Sequence, residues 1–190
     1  LKDANDLPMR AMRRKTNRSK IMATIKQKIT PFLWFDKNAE EAINFYTSIF
    51  KNSRIVSIKR YPEEHLEGPM KGMEGKVLTA VFELEGQRFM ALDGGPFFKP
   101  SGAVSFYVEC EKQEEVDYYW DKLTEGGDPK AQQCGWLQDK YGFSWQIIPT
   151  ALPRKLNDSD REKADRVMQE MLKMKKIDID KLKQAYEGRN

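Results

Sequence analysis

With one histidine, two cysteines and no Gly-x-Gly among its 190 residues, this chain lacks the usual means for several chemistries. A Ser-His-Asp or Cys-His arrangement would have to recruit His65, which sits in a stretch rich in glycine and proline. Cys110 and Cys134 are too few for a disulfide framework, and together with nine methionines they suit a reducing cytoplasm. Without a glycine-rich turn after its first strand, the chain does not read as a dinucleotide or methyl-donor fold. No apolar run approaches the roughly 20 residues that span a bilayer, so no membrane partner is expected.

The formal charge of +4 is unevenly spread. Residues 1–21 carry seven basic residues against two acids, whereas the rest carries 26 against 27. A basic tail on a near-neutral body does not make a nucleic-acid groove, which needs Lys and Arg gathered on a folded surface. Residues 1–21 show no apolar periodicity and are expected to be a disordered basic extension.

What remains is patterned twice over. Ile29–Asp36 reads as an aromatic-rich strand, followed by helical spacing at Ala39, Ala42, Ile43, Tyr46 and Ile49, with Asn38 and Glu41 as N-cap and N3 residue. Ala103–Cys110 again reads as a strand. It is followed by a helix whose inner face is Val116, Tyr119, Trp120 and Leu123, stopped by Gly126-Gly127. Strands at 54–61, 76–85 and 87–93, with a corner at Glu85-Gly86, complete the first unit. Strands near 130–133 and in a hairpin over 134–149 complete the second. The order is βαβββ twice, over about 25–96 and 100–153, and a unit that cannot cover its own sheet implies that the two pack together. Within the first unit, between the strands at 54–61 and 76–85, residues 62–75 read as a long mobile loop of the kind used as a lid. Beyond Pro153 two helices are expected in a 154–190 extension, one capped at Ser159 with Glu162 and one running from Asp178 to Gly188. They would pack on the body or on a partner.

The hairpin Cys134–Pro149 is the most informative segment. Gly142 supplies the positive φ of a tight turn, and along the exit strand Phe143, Trp145 and Ile147 share one face while Ser144, Gln146 and Ile148 share the other. An amide such as Gln146 costs roughly 1–3 kcal/mol if buried unpaired, so it needs a protein or ligand partner. Trp34, Phe106, Trp136 and Trp145 are read either as core or as walls of an aromatic pocket. Asp93, before Gly94-Gly95-Pro96, reads as a turn residue or as an exposed general base at a cavity mouth.

Four stretches, ITPFLWFDKNAEEAINFYTSIF, FMALDGGP, CGWLQDKYGFSWQIIP and MLKMKKIDIDKLKQAYEG, resemble in order and spacing the PhnB-like branch of the glyoxalase, bleomycin-resistance and dioxygenase (vicinal oxygen chelate) superfamily. The resemblance implies an α+β fold, with paired βαβββ modules forming a curved eight-stranded mixed sheet around a cavity, plus the two C-terminal helices, usually as a homodimer. In metal-using relatives, ligands come from positions that match Thr30-Pro31-Phe32, Ala103 and Gln146 here. Apolar residues at two of them leave too few donors for a divalent ion, so no metal and no other cofactor is expected, although a one-residue register shift would exchange faces. The implied function is binding of a small, partly apolar molecule, oriented by Gln146 and Asp93 against Trp34, Phe106, Trp136 and Trp145. The alternatives are a metal-dependent lyase, isomerase or dioxygenase, and a structural module without ligand.

Overall fold

The computed structural model describes residues 27–189, and the basic extension lies outside them. The first half runs β1 (Phe32–Phe35), α1 (Ala39–Ile49), β2 (Arg54–Arg60), β3 (Val77–Leu84) and β4 (Gln87–Asp93). These strands form one sheet in the order β1-β4-β3-β2, with β1 parallel to β4 and the other pairs antiparallel. The β3–β4 corner is a tight turn in which Glu85 and Gly86 both take positive φ, 46° and 77°, as the twist of a two-residue hairpin requires. Alternation along the strands sends Leu33, Phe35, Ala80, Phe82 and Ala91 to the side buried with α1.

The second half repeats the plan with one strand fewer. It runs β5 (Ser105–Cys110), α2 (Gln113–Thr124), β6 (Trp136–Gln138) and β7 (Ser144–Pro149), in the order β5-β7-β6 with β5 parallel to β7. Thus β5 corresponds to β1, β7 to β4 and β6 to β3, while the described residues contain no counterpart of β2. The strand expected near Lys130–Gln133 is a 3-10 turn over Pro129–Ala131 and a single bridge between Gln133 and Trp136. Local chemistry accounts for the difference. Pro129 lacks a ladder donor, the Asp128 carboxylate accepts the Lys130 N–H at 2.9 Å, and Gly127 runs so close to β6 that an added Cβ would lie 2.1 Å from the Gln138 carbonyl. The α+β class expected from the sequence holds, while in place of one eight-stranded sheet the described residues form seven strands in sheets of four and three.

The two halves share one core. Asp139, in the β6–β7 turn, is buried, and its Oδ1 accepts the N–H groups of Tyr141 and Phe143 at 2.9 and 3.0 Å. Its Oδ2 accepts the Tyr46 hydroxyl from α1 at 2.7 Å and the Trp145 indole N–H from β7 at 2.8 Å. Burial pushes this carboxyl above the usual aspartate range against the pull of those four donors, and burial beside Asp139 pushes the Tyr46 hydroxyl well up. Aromatic contacts extend the junction, with Phe50 stacked on Trp145 at 5.5 Å and Phe89 edge-on to Phe106 at 5.3 Å.

Three C-terminal helices follow rather than two: α3 (Ala151–Leu156), α4 (Arg161–Met171) and α5 (Ile179–Glu187). Pro153 is accommodated in the first turn of α3, where its missing N–H has no helical partner to lose. Asp160, not Ser159, caps α4 by accepting the Lys163 N–H, whereas Asp178 caps α5 and Gly188 ends it at φ 71° as the sequence predicts. The helices bury Leu152, Val167, Ile177 and Leu182 against Ile148 of β7. The Cys134 and Gly135 N–H groups donate to the Met174 and Lys175 carbonyls at 2.9 and 2.7 Å, which fixes the chain leading into β6.

Asp139→Asn places an amide donor where two donors already point. It is expected to lower stability by roughly 1–3 kcal/mol in urea denaturation, with Tyr46→Phe costing about 1 kcal/mol.

Candidate functional site

Two clefts lie where the two sheets meet. The first, of about 630 Å³, has a wall of Phe50, Phe89, Phe106, Tyr119 and Trp145 and a rim that includes Lys51, Glu85, Glu109 and Glu115. It wraps the free edge of β5, so Ser105 and Tyr107, which alternate with Phe106, also reach it. The second, of about 310 Å³, is lined by Trp34, Phe98, Pro100, Val104, Phe106 and Phe143, among others. Pro31 and Phe106 line both.

Burial raises the Tyr119 hydroxyl to about 12, and the nearby carboxylates of Glu85 and Glu115 add to the effect. The Tyr107 hydroxyl is raised too, by burial and then by Glu109. Both tyrosines thus carry their protons at neutral pH and offer hydroxyl donors.

Gln146 is half-buried on the opposite face of β7 from Trp145. Its neighbours across the sheet are Tyr107 on β5 and Trp136 on β6, so the three side chains form a row on one face. Tyr107 is 49% exposed and Trp136 36%, which leaves that face open around the amide. Gln146 Nε2 donates to Ser105 Oγ at 2.8 Å. Ser105 therefore links the amide to the first cleft.

Of the residues singled out from sequence, Phe106 and Trp145 meet in the first cleft with ring centroids 4.9 Å apart. Trp34 belongs to the second, its indole N–H donating to the Gly95 carbonyl at 2.9 Å and its ring so close to Gly94 that an added Cβ would sit 2.1 Å from it. Trp136 lines neither cleft but adjoins Gln146. Asp93 does not sit exposed at a cavity mouth. It is 1% exposed, and its two oxygens accept the N–H of Ala39 at 2.8 Å and of Val77 at 2.9 Å. It satisfies the first turn of α1, a role the sequence suggests for Asn38, whose side chain makes no capping bond. The loop over 62–75 is anchored by the buried Met73 and by the Tyr61 hydroxyl donating to the Asp93 carbonyl; His65 is exposed on it, and no residue of it lines either cleft.

Sequence reasoning passed over Ser105, Tyr107, Phe50 and Tyr119. The period of two along 105–109 carries the signal for the first pair, which share the Gln146 face. The second pair read as ordinary helix-face aromatics, and nothing local distinguishes them.

The superfamily's divalent metal does not fit these residues. Among the described residues no three His, Cys, Asp or Glu side chains gather as ligands, Asp93 has both oxygens committed to main-chain N–H groups, and Gln146 is bonded to Ser105. Both cysteines are free; Cys110 is buried, with its thiol pushed up to about 12 by burial and by Glu115. No helix among the described residues is long and apolar enough to cross a membrane.

The family described as 3-demethylubiquinone-9 3-methyltransferase matches residues 27–148, more than half of the chain. A PhnB protein from Bacillus cereus, described as a putative 3-demethylubiquinone-9 3-methyltransferase, is 47% identical over 65% of this chain and 100% of its own, with a TM-score of 0.56. Protein PA1353 from Pseudomonas aeruginosa is 20% identical over 63% of this chain and 94% of its own, with a TM-score of 0.51, a likeness of fold alone. The fosfomycin resistance protein FosX from Listeria monocytogenes is 15% identical over 69% of this chain and 99% of its own, with a TM-score of 0.47. No curated protein matches the chain.

Asp93→Asn is expected to lower stability by about 1–3 kcal/mol, read as a shifted urea midpoint. A carboxylate serving only a ligand would leave that midpoint in place.

Proposed function

Since the chain belongs to the family described as 3-demethylubiquinone-9 3-methyltransferase, the PhnB-like branch of the vicinal oxygen chelate superfamily, we propose that it binds a small, partly apolar molecule in the first inter-sheet cleft. The observation that carries this reading is an aromatic wall, Phe106 and Trp145, beside the Ser105 hydroxyl, which Gln146 holds from the other face of β7 without lining the cleft itself. A volume of about 630 Å³ lies within the range of pockets that take small organic ligands. Apolar parts of the ligand pack on the rings, while its polar end exchanges hydrogen bonds with the Ser105 hydroxyl, which the Gln146 amide orients.

The methyl transfer in the family's description finds no support in the turn after β1, which is Asp36-Lys37-Asn38 rather than the glycine-rich turn of a methyl-donor fold. The protein works as a homodimer in this proposal. Phe32, Tyr107 and Trp136 on the sheets and Phe97, Phe98 and Val104 on the connection between the halves are all exposed, and a second copy would cover such a surface.

The test uses the neutral apolar dye Nile red. Phe106→Ala is expected to weaken its binding about tenfold or more, because a buried ring contributes roughly 1.5–3 kcal/mol. Gln146→Leu should leave the dye bound but reduce the amount of any co-purifying small molecule seen by mass spectrometry after denaturation. If dye binding is indifferent to Phe106→Ala, the cleft is not the site. Sedimentation at micromolar concentration is expected to give twice the chain mass, and Phe98→Glu to shift it toward the monomer.

A further inference from the structure

The rim of the first cleft carries charge predominantly of one sign. Three carboxylates, Glu85, Glu109 and Glu115, line it against the single ammonium of Lys51. Among the described residues none of the three is in an ion pair. One oxygen of Glu85 accepts the Lys51 main-chain N–H at 3.1 Å and one of Glu115 accepts the Glu111 main-chain N–H at 2.7 Å, which aims these carboxylates without neutralising them. They come from three elements, the β3–β4 corner, β5 and α2. Below them the wall is aromatic, with Phe50 stacked on Tyr119 at 5.1 Å and on Trp145 at 5.5 Å.

Two independent features therefore favour the same charge. Exposed carboxylates at the opening attract a cation by a field that salt screens, and aromatic faces attract it through their quadrupoles. An anion would meet repulsion from both. We propose that the ligand of this cleft is a hydrophobic organic cation, a flat aromatic or aliphatic body bearing a protonated or quaternary nitrogen. The proposal rests on the preceding reading of the cleft and adds the ligand's charge.

Three tricyclic fluorescent probes of matched shape separate the two readings at pH 8: N-methylacridinium, which is cationic, acridine, which is neutral there, and anthracene-9-carboxylate, which is anionic. The expected order is cation at least tenfold tighter than neutral, and anion weakest. That preference should shrink in high salt. The triple variant Glu85→Gln, Glu109→Gln, Glu115→Gln keeps a carbonyl acceptor at each position and is expected to bring cation and neutral probe within about twofold of each other. If the neutral probe binds as tightly as the cation in the unaltered protein, the charge assignment fails while the cleft stands. If the cation's advantage survives the triple variant, these carboxylates do not confer it and the proposal is overturned. If no probe binds, the cleft reading itself falls.

Discussion

A buried carboxylate holds the two halves of this protein in register. Asp139 gathers four donors, two from its own turn, one from α1 and one from β7, so the helix of the first module and the last strand of the second are pinned to the same pair of oxygens. Such a group is costly to bury, and the cost is offset only when every donor is present with good geometry. The aromatic chain through Phe50, Trp145, Phe106 and Phe89 packs around that point, and the cleft opens along it. The position of the cleft is therefore a consequence of how the modules are joined. Neither sheet would form it alone.

The repeat is legible in the sequence because both modules obey the same short rules. In each, a strand feeds a helix with spaced apolar residues and a turn holding a positive-φ glycine reverses the chain, while glycines end only the second helix. Glu85-Gly86, Gly126, Gly142 and Gly188 all stand where those rules put them. Two departures have different causes. Asn38 and Asp93 carry local signals of a cap and a turn, yet the start of α1 is satisfied by a carboxylate 54 positions away. Near 130 the cause is local, in the proline, the Asp128 cap and the close approach of Gly127 to β6.

The candidate site was less legible than the fold. The strand period places Gln146 opposite Trp145 on β7, and that much follows from alternation alone. Which face meets the other module depends on the packing of α1, and no local pattern encodes it. Phe50 and Tyr119 illustrate the limit, since one just past α1 and one on α2 suit core equally well and only their stacking, at 5.1 Å, makes them a wall. The rim carboxylates were harder still, because each is an ordinary surface glutamate until three elements bring them together.

The backbone bonds from Cys134 and Gly135 to Met174 and Lys175 also bear on how the molecule is assembled. Both residues hold positive φ, 52° and 85°, a conformation that costs energy for cysteine and is kept only where partners compensate for it. Those partners are made two helices later in the chain. During synthesis the strands of the second sheet are thus made before the residues that fix the lead into β6. The helical extension is in this sense the closing step of the second module.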